Sequence, residues 1–380
     1  MLSKLKHITL ASSIMMLSSA CVAFQGPEID LAESGNRYTA STIVKGVEVP
    51  WGMTQLPNSD ILVTDRKGEL RLIREGKLVE QPVQGLPPVV AGGQGGLLDI
   101  VLHPDYGKNG WLYMTMSSPE GEGEGNNTAL YRAKFDGEKV SLKDAEMLYK
   151  GSDNTTKRHH YGSRIAFDNN GYVFFSIGDR GERDVKPQDL SIDGGKVYRL
   201  HDDGRVPKDN PFVGQENTRP ATYSYGHRNP QGMAKHPETG KIWSHEHGPR
   251  GGDEINIIKK GVNYGWPVIT YGVNYSGTSI TDLTEKPGME QPDWYWDPSI
   301  APSGMVFVTS DKYPEWKGKL LIGSLKFHYL VLMDVDGDKV TGQSKMFEGI
   351  GRVRSIMQGL DGYLYVGVDG GGIKRIEPKA

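Results

Sequence analysis

The sequence predicts an all-β fold, a six-bladed β-propeller of four-stranded antiparallel blades, and three observations carry that expectation. One pattern recurs six times: a turn with Gly or a polar pair, then a short run of aromatic and β-branched residues. Gly 50 and Pro 22 among 380 residues suit many short strands joined by tight turns, and a single cysteine excludes a disulfide framework. No composition shift or linker divides the chain, so residues 24–380 read as one domain, a length that closed β folds reach.

The chain opens on a leader. Lys4 and Lys6 precede an apolar core over 8–16 and small residues over 17–23, which marks residues 1–23 as a secretion signal cut after Ala23. Its apolar part is too short to span a bilayer, so the expectation is a periplasmic protein with no membrane span. A lipid anchor on Cys21 is disfavoured because Ser18 stands where an aliphatic residue belongs.

The six turn-and-strand copies are 58–63, 109–113, 170–174, 239–243, 317–322 and 361–366, each a hairpin turn entering a strand. Upstream of each stands another short strand: 51–53, 96–98, 163–165, 232–234, 304–306 and 355–357. Further strands at 69–73 and 373–376 bring the unit to about four, the make-up of a propeller blade. An irregular β-sandwich is the competing architecture. Residues 119–128 and 278–293 read as surface loops.

The repeat collects scattered polar residues. The first two strands of a blade run antiparallel, so the start of the first and the end of the second meet at one end of the propeller. First-strand starts bring Gln94, His160, Arg228, Asn229, Arg352 and Arg354; second-strand ends bring Asp179, the stretch 247–254 and Lys326. Circular closure aims them at one axial mouth, the usual concave ligand site of a propeller. Crowding Arg228, Lys326, Arg352 and Arg354 together calls for a ligand with several carboxylates or phosphates. The net charge of −3 leaves no electrostatic footprint for nucleic acid or a membrane surface.

His160, beside glycine, suits proton abstraction, although a histidine holding a turn fits the same residues. The stretch 243–256 runs from two histidines through Gly248, Pro249, Gly251 and Gly252 to Asp253 and Glu254. That is chemistry for offering carbonyl and carboxylate oxygens to a hard cation, and equally that of a polar loop. Zinc at His159, His245 and His247 is disfavoured, since no His-Glu-x-x-His helix or Cys pair accompanies them.

Several strings in one order then carry a resemblance. They are Gly93-Gln94-Gly95-Gly96-Leu97-Leu98-Asp99, His160-Tyr161-Gly162-Ser163-Arg164, Tyr223-Ser224-Tyr225-Gly226-His227-Arg228-Asn229-Pro230-Gln231-Gly232, Glu246-His247-Gly248-Pro249-Arg250-Gly251-Gly252-Asp253-Glu254-Ile255-Asn256, Ser324-Leu325-Lys326 and Arg352-Val353-Arg354. From about Val49 to Ile376 the chain resembles the soluble quinoprotein sugar dehydrogenases, and most closely the periplasmic aldose sugar dehydrogenases. The resemblance implies a propeller using pyrroloquinoline quinone (PQQ) and Ca²⁺, with His160 as general base, Asp179 orienting it, Arg228 with Ca²⁺ polarising the quinone carbonyl, and Gln94, Arg228, Asn229, Lys326, Arg352 and Arg354 holding the quinone. It implies Ca²⁺ on the carbonyls of Gly248 and Pro249, and a second, structural Ca²⁺ at Glu254 and Tyr264. An aldose would be oxidised at C1 to a lactone, with reoxidation by an external acceptor. The chain departs from the glucose-specific members at His159, where they carry Asp, and at Asp297, where they carry a Trp that stacks on the cofactor. Trp296 or Tyr271 is the expected substitute, a broader aldose range the expected consequence, and a monomer is expected because the dimerising loop is not evident. The readings that compete are a calcium-dependent lactonase, which would want acidic rather than cationic residues at the mouth, and a non-catalytic propeller binding an anion.

Overall fold

A computed structural model describes residues 37–379, so the expected leader and Cys21 lie outside the described residues. The chain enters on β1 (Tyr38–Val44) and then lays down six antiparallel sheets in sequence order. Blade one is β2 (Pro50–Gln55), β3 (Ile61–Asp65), β4 (Glu69–Arg74) and β5 (Lys77–Leu78). Blade two is β6 (Leu97–Leu102), β7 (Trp111–Ser118), β8 (Asn127–Asp136) and β9 (Ser141–Lys150). Blade three is β10 (Ile165–Phe167), β11 (Val173–Ile177), β12 (Lys196–Leu200) and β13 (Thr222–Tyr225). Blade four is β14 (Pro230–Lys235), β15 (Ile242–Glu246), β16 (Asp253–Ile257) and β17 (Trp294–Trp296). Blade five is β18 (Pro302–Phe307), β19 (Leu320–Ser324), β20 (Leu330–Asp336) and β21 (Lys339–Met346). Blade six has β22 (Val353–Gln358), β23 (Leu364–Val368) and β24 (Gly372–Pro378), and takes β1 as its outermost strand. Each expected hairpin turn leads into the second strand of a blade. No helix among the described residues is long and apolar enough to cross a membrane.

Burial departs from simple alternation for a physical reason. A blade is covered on both faces by its neighbours, so second strands bury every position, as in β3, β11, β15, β19 and β23. The core is therefore distributed between blades: Leu62, Leu70 and Leu72 of blade one pack with Leu97, Leu112 and Met114 of blade two. Contact of β2 with β22 closes the ring. The closure is reinforced by β1, whose Tyr38 ring lies 4.3 Å from Trp316 and 5.2 Å from Tyr313.

Near the axis, a side-chain donor on each blade reaches a main-chain carbonyl of the next. Thr64 donates to Leu98, Thr115 to Ser163 (2.6 Å), Ser176 to Pro230 (2.9 Å), His245 to Ser303, Ser303 to Val353 (2.7 Å) and Ser355 to Pro50 (2.6 Å). Buried carbonyls at the crowded centre are thereby satisfied. His245 holds a place that serine or threonine fills elsewhere, and burial pushes its imidazole down to about 3.

The first and second strands slip register near the mouth in five blades, between Pro50 and Gly52, Leu97 and Ile100, Pro230 and Gly232, Pro302 and Met305, and Val353 and Ser355. Such bulges turn first-strand starts toward the axis. Blade three is the exception: β10 keeps three residues, and the run before it is irregular, with left-handed backbone at His160 and Ser163.

Candidate active site

His160 sits in that irregular run. Its φ of +55° costs a side-chain-bearing residue about 1–3 kcal/mol, so surrounding contacts must hold it there. Gln94 Oε1 accepts its N–H at 2.8 Å. Its carbonyl packs on Gly178, where a Cβ would come within 2.4 Å, so only glycine fits after β11. The next residue is Asp179. Its Oδ1 accepts from His160 Nδ1 at 2.7 Å and from the Gly181 N–H at 2.8 Å, and its Oδ2 accepts from Trp266 Nε1 at 2.9 Å. The Asp179 N–H in turn donates to the Arg228 carbonyl at 2.8 Å, joining blade three to blade four.

Burial pushes the His160 imidazole down to about 4, against the opposing pull of the Asp179 hydrogen bond. Burial also pushes Asp179 upward, but the bond from His160 and the charge of Arg228 outweigh it, so the carboxyl lies below its usual range. An ionised Asp179 facing Nδ1 fixes the tautomer: Nδ1 carries the proton and Nε2 is free to accept one.

His160, Asp179, Arg228, Pro249 and Trp266 line one cleft of about 260 Å³, with His159, Arg183, Asn274 and Tyr275 around it. His159 packs edge-on against His160 at 4.6 Å. Arg228 donates from its guanidinium to the His247 carbonyl at 2.9 Å, and its main-chain N–H meets Glu246 Oε2 at 2.5 Å. Asn229 is fully buried, with Oδ1 accepting from the Gly162 N–H at 3.0 Å and Nδ2 lacking any partner. A larger cleft of about 520 Å³ lies at Trp294, Trp296, Tyr329 and Glu348, but no histidine lines it, so proton-transfer chemistry belongs to the smaller one.

Behind the cleft, Arg228 and Trp266 also wall a cavity of about 10 Å³ with Glu246, Gly248, Glu254 and Tyr264. Asn256 Nδ2 bridges Glu246 Oε1 (3.3 Å) and Glu254 Oε2 (3.2 Å), and His227 Nδ1 meets Glu246 Oε1 at 2.9 Å. Burial, then Glu246, pushes Glu254 well above its usual range. The Tyr264 hydroxyl is spent on the Ile257 carbonyl (2.5 Å) and the Lys259 N–H (2.9 Å), which leaves its main-chain oxygen as what it can offer an ion. Among the described residues, no group of three or more His, Cys, Asp or Glu side chains is disposed to hold a metal. His247 is half-buried, with Nε2 2.5 Å from the Pro302 carbonyl.

Lys326, Arg352 and Arg354 do not line the 260 Å³ cleft. Arg352 and Arg354 share Asp369, each at 3.0 Å from Oδ2, and Arg352 also donates to the Leu325 carbonyl at 2.9 Å. The expectation that all four cations need anions from a ligand is corrected accordingly, since Asp369 already faces two of them. Lys326 is exposed, its ammonium 4.8 Å from the Phe327 ring. Neither expected stacking candidate, Trp296 nor Tyr271, lines the 260 Å³ cleft. Trp296 is buried with Nε1 on Gln343 Oε1 (2.8 Å), and Tyr271 stacks on Tyr295 at 3.9 Å, whereas Trp266 and Tyr275 are the aromatics of the cleft. Asp369 went unread in the sequence although it directly follows the second strand β23, so its place at a second-strand end was the signal. Trp266 carried no such signal, because it enters from a loop outside the repeat.

The Glucose / Sorbosone dehydrogenase family matches residues 47–375. An aldose sugar dehydrogenase of Escherichia coli (strain K12) is 42% identical over 336 residues, covering 87% of this chain and 90% of the relative. The crystal structure of the soluble aldose sugar dehydrogenase from Escherichia coli in the apo-form superposes with a TM-score of 0.85 at 39% identity, over 90% of this chain and all of that one. The PQQ-bound form of an aldose sugar dehydrogenase from Streptomyces coelicolor gives 0.72 at 26% identity, over 90% of this chain and 98% of that one. With a His–Asp pair at the mouth of a six-bladed ring and a family match across nearly all of it, the chain belongs to the glucose/sorbosone dehydrogenases, a family of oxidoreductases.

Proposed function

We propose that this chain oxidises aldose sugars at C1 to lactones, in the periplasm, with PQQ and Ca²⁺. The observation that carries the reading is the 2.7 Å contact of His160 with Asp179 in a cleft shared with Arg228 and Pro249. The names of the E. coli and S. coelicolor relatives support the sugar and the quinone respectively.

The residues present fit an anionic quinone. Asn229 Nδ2 is a buried donor without a partner, and Lys326 has no carboxylate partner among the described residues. Gln94, Arg228, Asn229, Lys326, Arg352 and Arg354 would hold the group, with Ca²⁺ on the carbonyls of Gly248 and Pro249 and a second Ca²⁺ at Glu254 and Tyr264. When bound, the quinone supplies a two-electron acceptor for the hydride leaving C1. The protein supplies the proton chemistry. His160 Nε2 takes the proton of the C1 hydroxyl, and Asp179 steadies the imidazolium through Nδ1, which holds the ring in one orientation. Arg228 sets a positive charge beside the reacting atoms. His159 on the cleft wall supports a broader aldose range than glucose alone, and the chain acts as a monomer that passes electrons to an external acceptor. The test adds PQQ and Ca²⁺ to apo protein and follows aldose-dependent dye reduction. Quinone binding without reduction by any aldose would overturn the reading.

A further inference from the structure

We propose that Trp266 is a positioning residue for the His160–Asp179 pair, its indole N–H setting the rotation of the carboxylate that steers the base. This rests on the reading of His160 as general base. Oδ1 of Asp179 already holds two donors, His160 Nδ1 and the Gly181 N–H, whereas Oδ2 receives Trp266 Nε1. Asp179 is 1% exposed, so without the indole Oδ2 is left as a buried acceptor and the carboxylate is free to turn away from His160.

The indole is itself anchored to the segment that carries Asp179. Gln188 and Asn263 pair through both amides, at 3.1 and 2.7 Å, and Gln188 Nε2 also donates to the Trp266 carbonyl at 2.8 Å. The Trp266 N–H donates to the Gly226 carbonyl at 2.9 Å. These bonds fix the turn on both sides, so the Nε1–H points at Asp179 from a rigid base. The ring face also lies 5.4 Å from the Arg228 guanidinium carbon, which keeps the cation and the carboxylate in one register.

The first test reads the bond without any turnover. In a ¹H–¹⁵N spectrum of the full chain, Trp266→Phe removes one of the seven tryptophan indole signals, a downfield and slowly exchanging one, and Asp179→Ala moves that same signal upfield. An indole signal indifferent to Asp179→Ala overturns the proposal. If Trp266→Phe does not fold, Asp179→Asn must still move a single indole signal, and failure to move any counts against it. The second test is kinetic. Trp266→Phe lowers kcat about tenfold with KM for the aldose nearly unchanged, and does so far less when added to Asp179→Asn, because its route runs through that carboxylate. An equal loss in both backgrounds contradicts the positioning role. Should the wild type oxidise no aldose, the proposed function fails and the spectrum alone decides on Trp266.

Discussion

Replacing Glu254 with glutamine separates a cation site from a merely crowded pair of acids. Asn256 Nδ2 lies 3.2 Å from Glu254 and 3.3 Å from Glu246, so the two carboxyls share one amide in a cavity of about 10 Å³. Burial and the neighbouring Glu246 push Glu254 well above its usual range, so ionising it with no counter-charge destabilises the fold. Glu254→Gln removes that charge while keeping shape and hydrogen-bonding capacity. In chelator the variant should therefore unfold at a higher temperature than wild type. With Ca²⁺ the order reverses. At a hundredfold excess over Kd an ion adds about 2.7 kcal/mol to the wild type. For a domain of this size that is about 4 °C in Tm. The variant should gain little. Thermal unfolding followed by circular dichroism, with EDTA and then with Ca²⁺, reads both arms. A variant destabilised equally in both conditions, or raised equally by Ca²⁺, would refute the cation reading.

Three further outcomes follow from the same contacts. Because burial holds His160 at about 4, the acid limb of kcat/KM should fall well below the ordinary histidine value of 6.5. The linkage sign agrees: the unfolded chain takes up the proton first, so this histidine's contribution to stability falls as pH drops from 6.5 toward 4, by at most about 1.4 kcal/mol per unit. Asp253, pushed up to about 6 by burial, acts in the opposite sense, so the comparison of wild type with His160→Gln across pH isolates the histidine. Tyr38→Ala strips the closing strand of its contacts with Tyr313 and Trp316 and should cost about 3–5 kcal/mol in denaturant unfolding. Gly178→Ala drives a methyl into the His160 carbonyl and against Asn229 Oδ1, and should lower kcat about 100-fold in a steady-state dye assay at saturating quinone.

The blade order was legible because each blade repeats one hairpin, and every hairpin turn names its second strand. The closing strand β1 was not, since it precedes the repeat and carries no turn of its own. The mouth residues were legible through strand polarity, which brings His160, Asp179 and Arg228 into one cleft. Partners were harder to foresee. Asp369 faces Arg352 and Arg354 across the start of β22, and His245, for which the sequence names no partner, serves as an interblade donor to Ser303. Trp266 reaches the site from a long connection whose path no local pattern encodes.

The role of His160 as general base is tested most directly by a single-turnover comparison of PQQ-loaded wild type and His160→Ala, each mixed with an aldose while the quinone absorbance is followed. Both should bind the quinone and only the wild type should reduce it promptly, the variant being slower by about 100-fold or more. Reduction by His160→Ala at the wild-type rate would contradict that role.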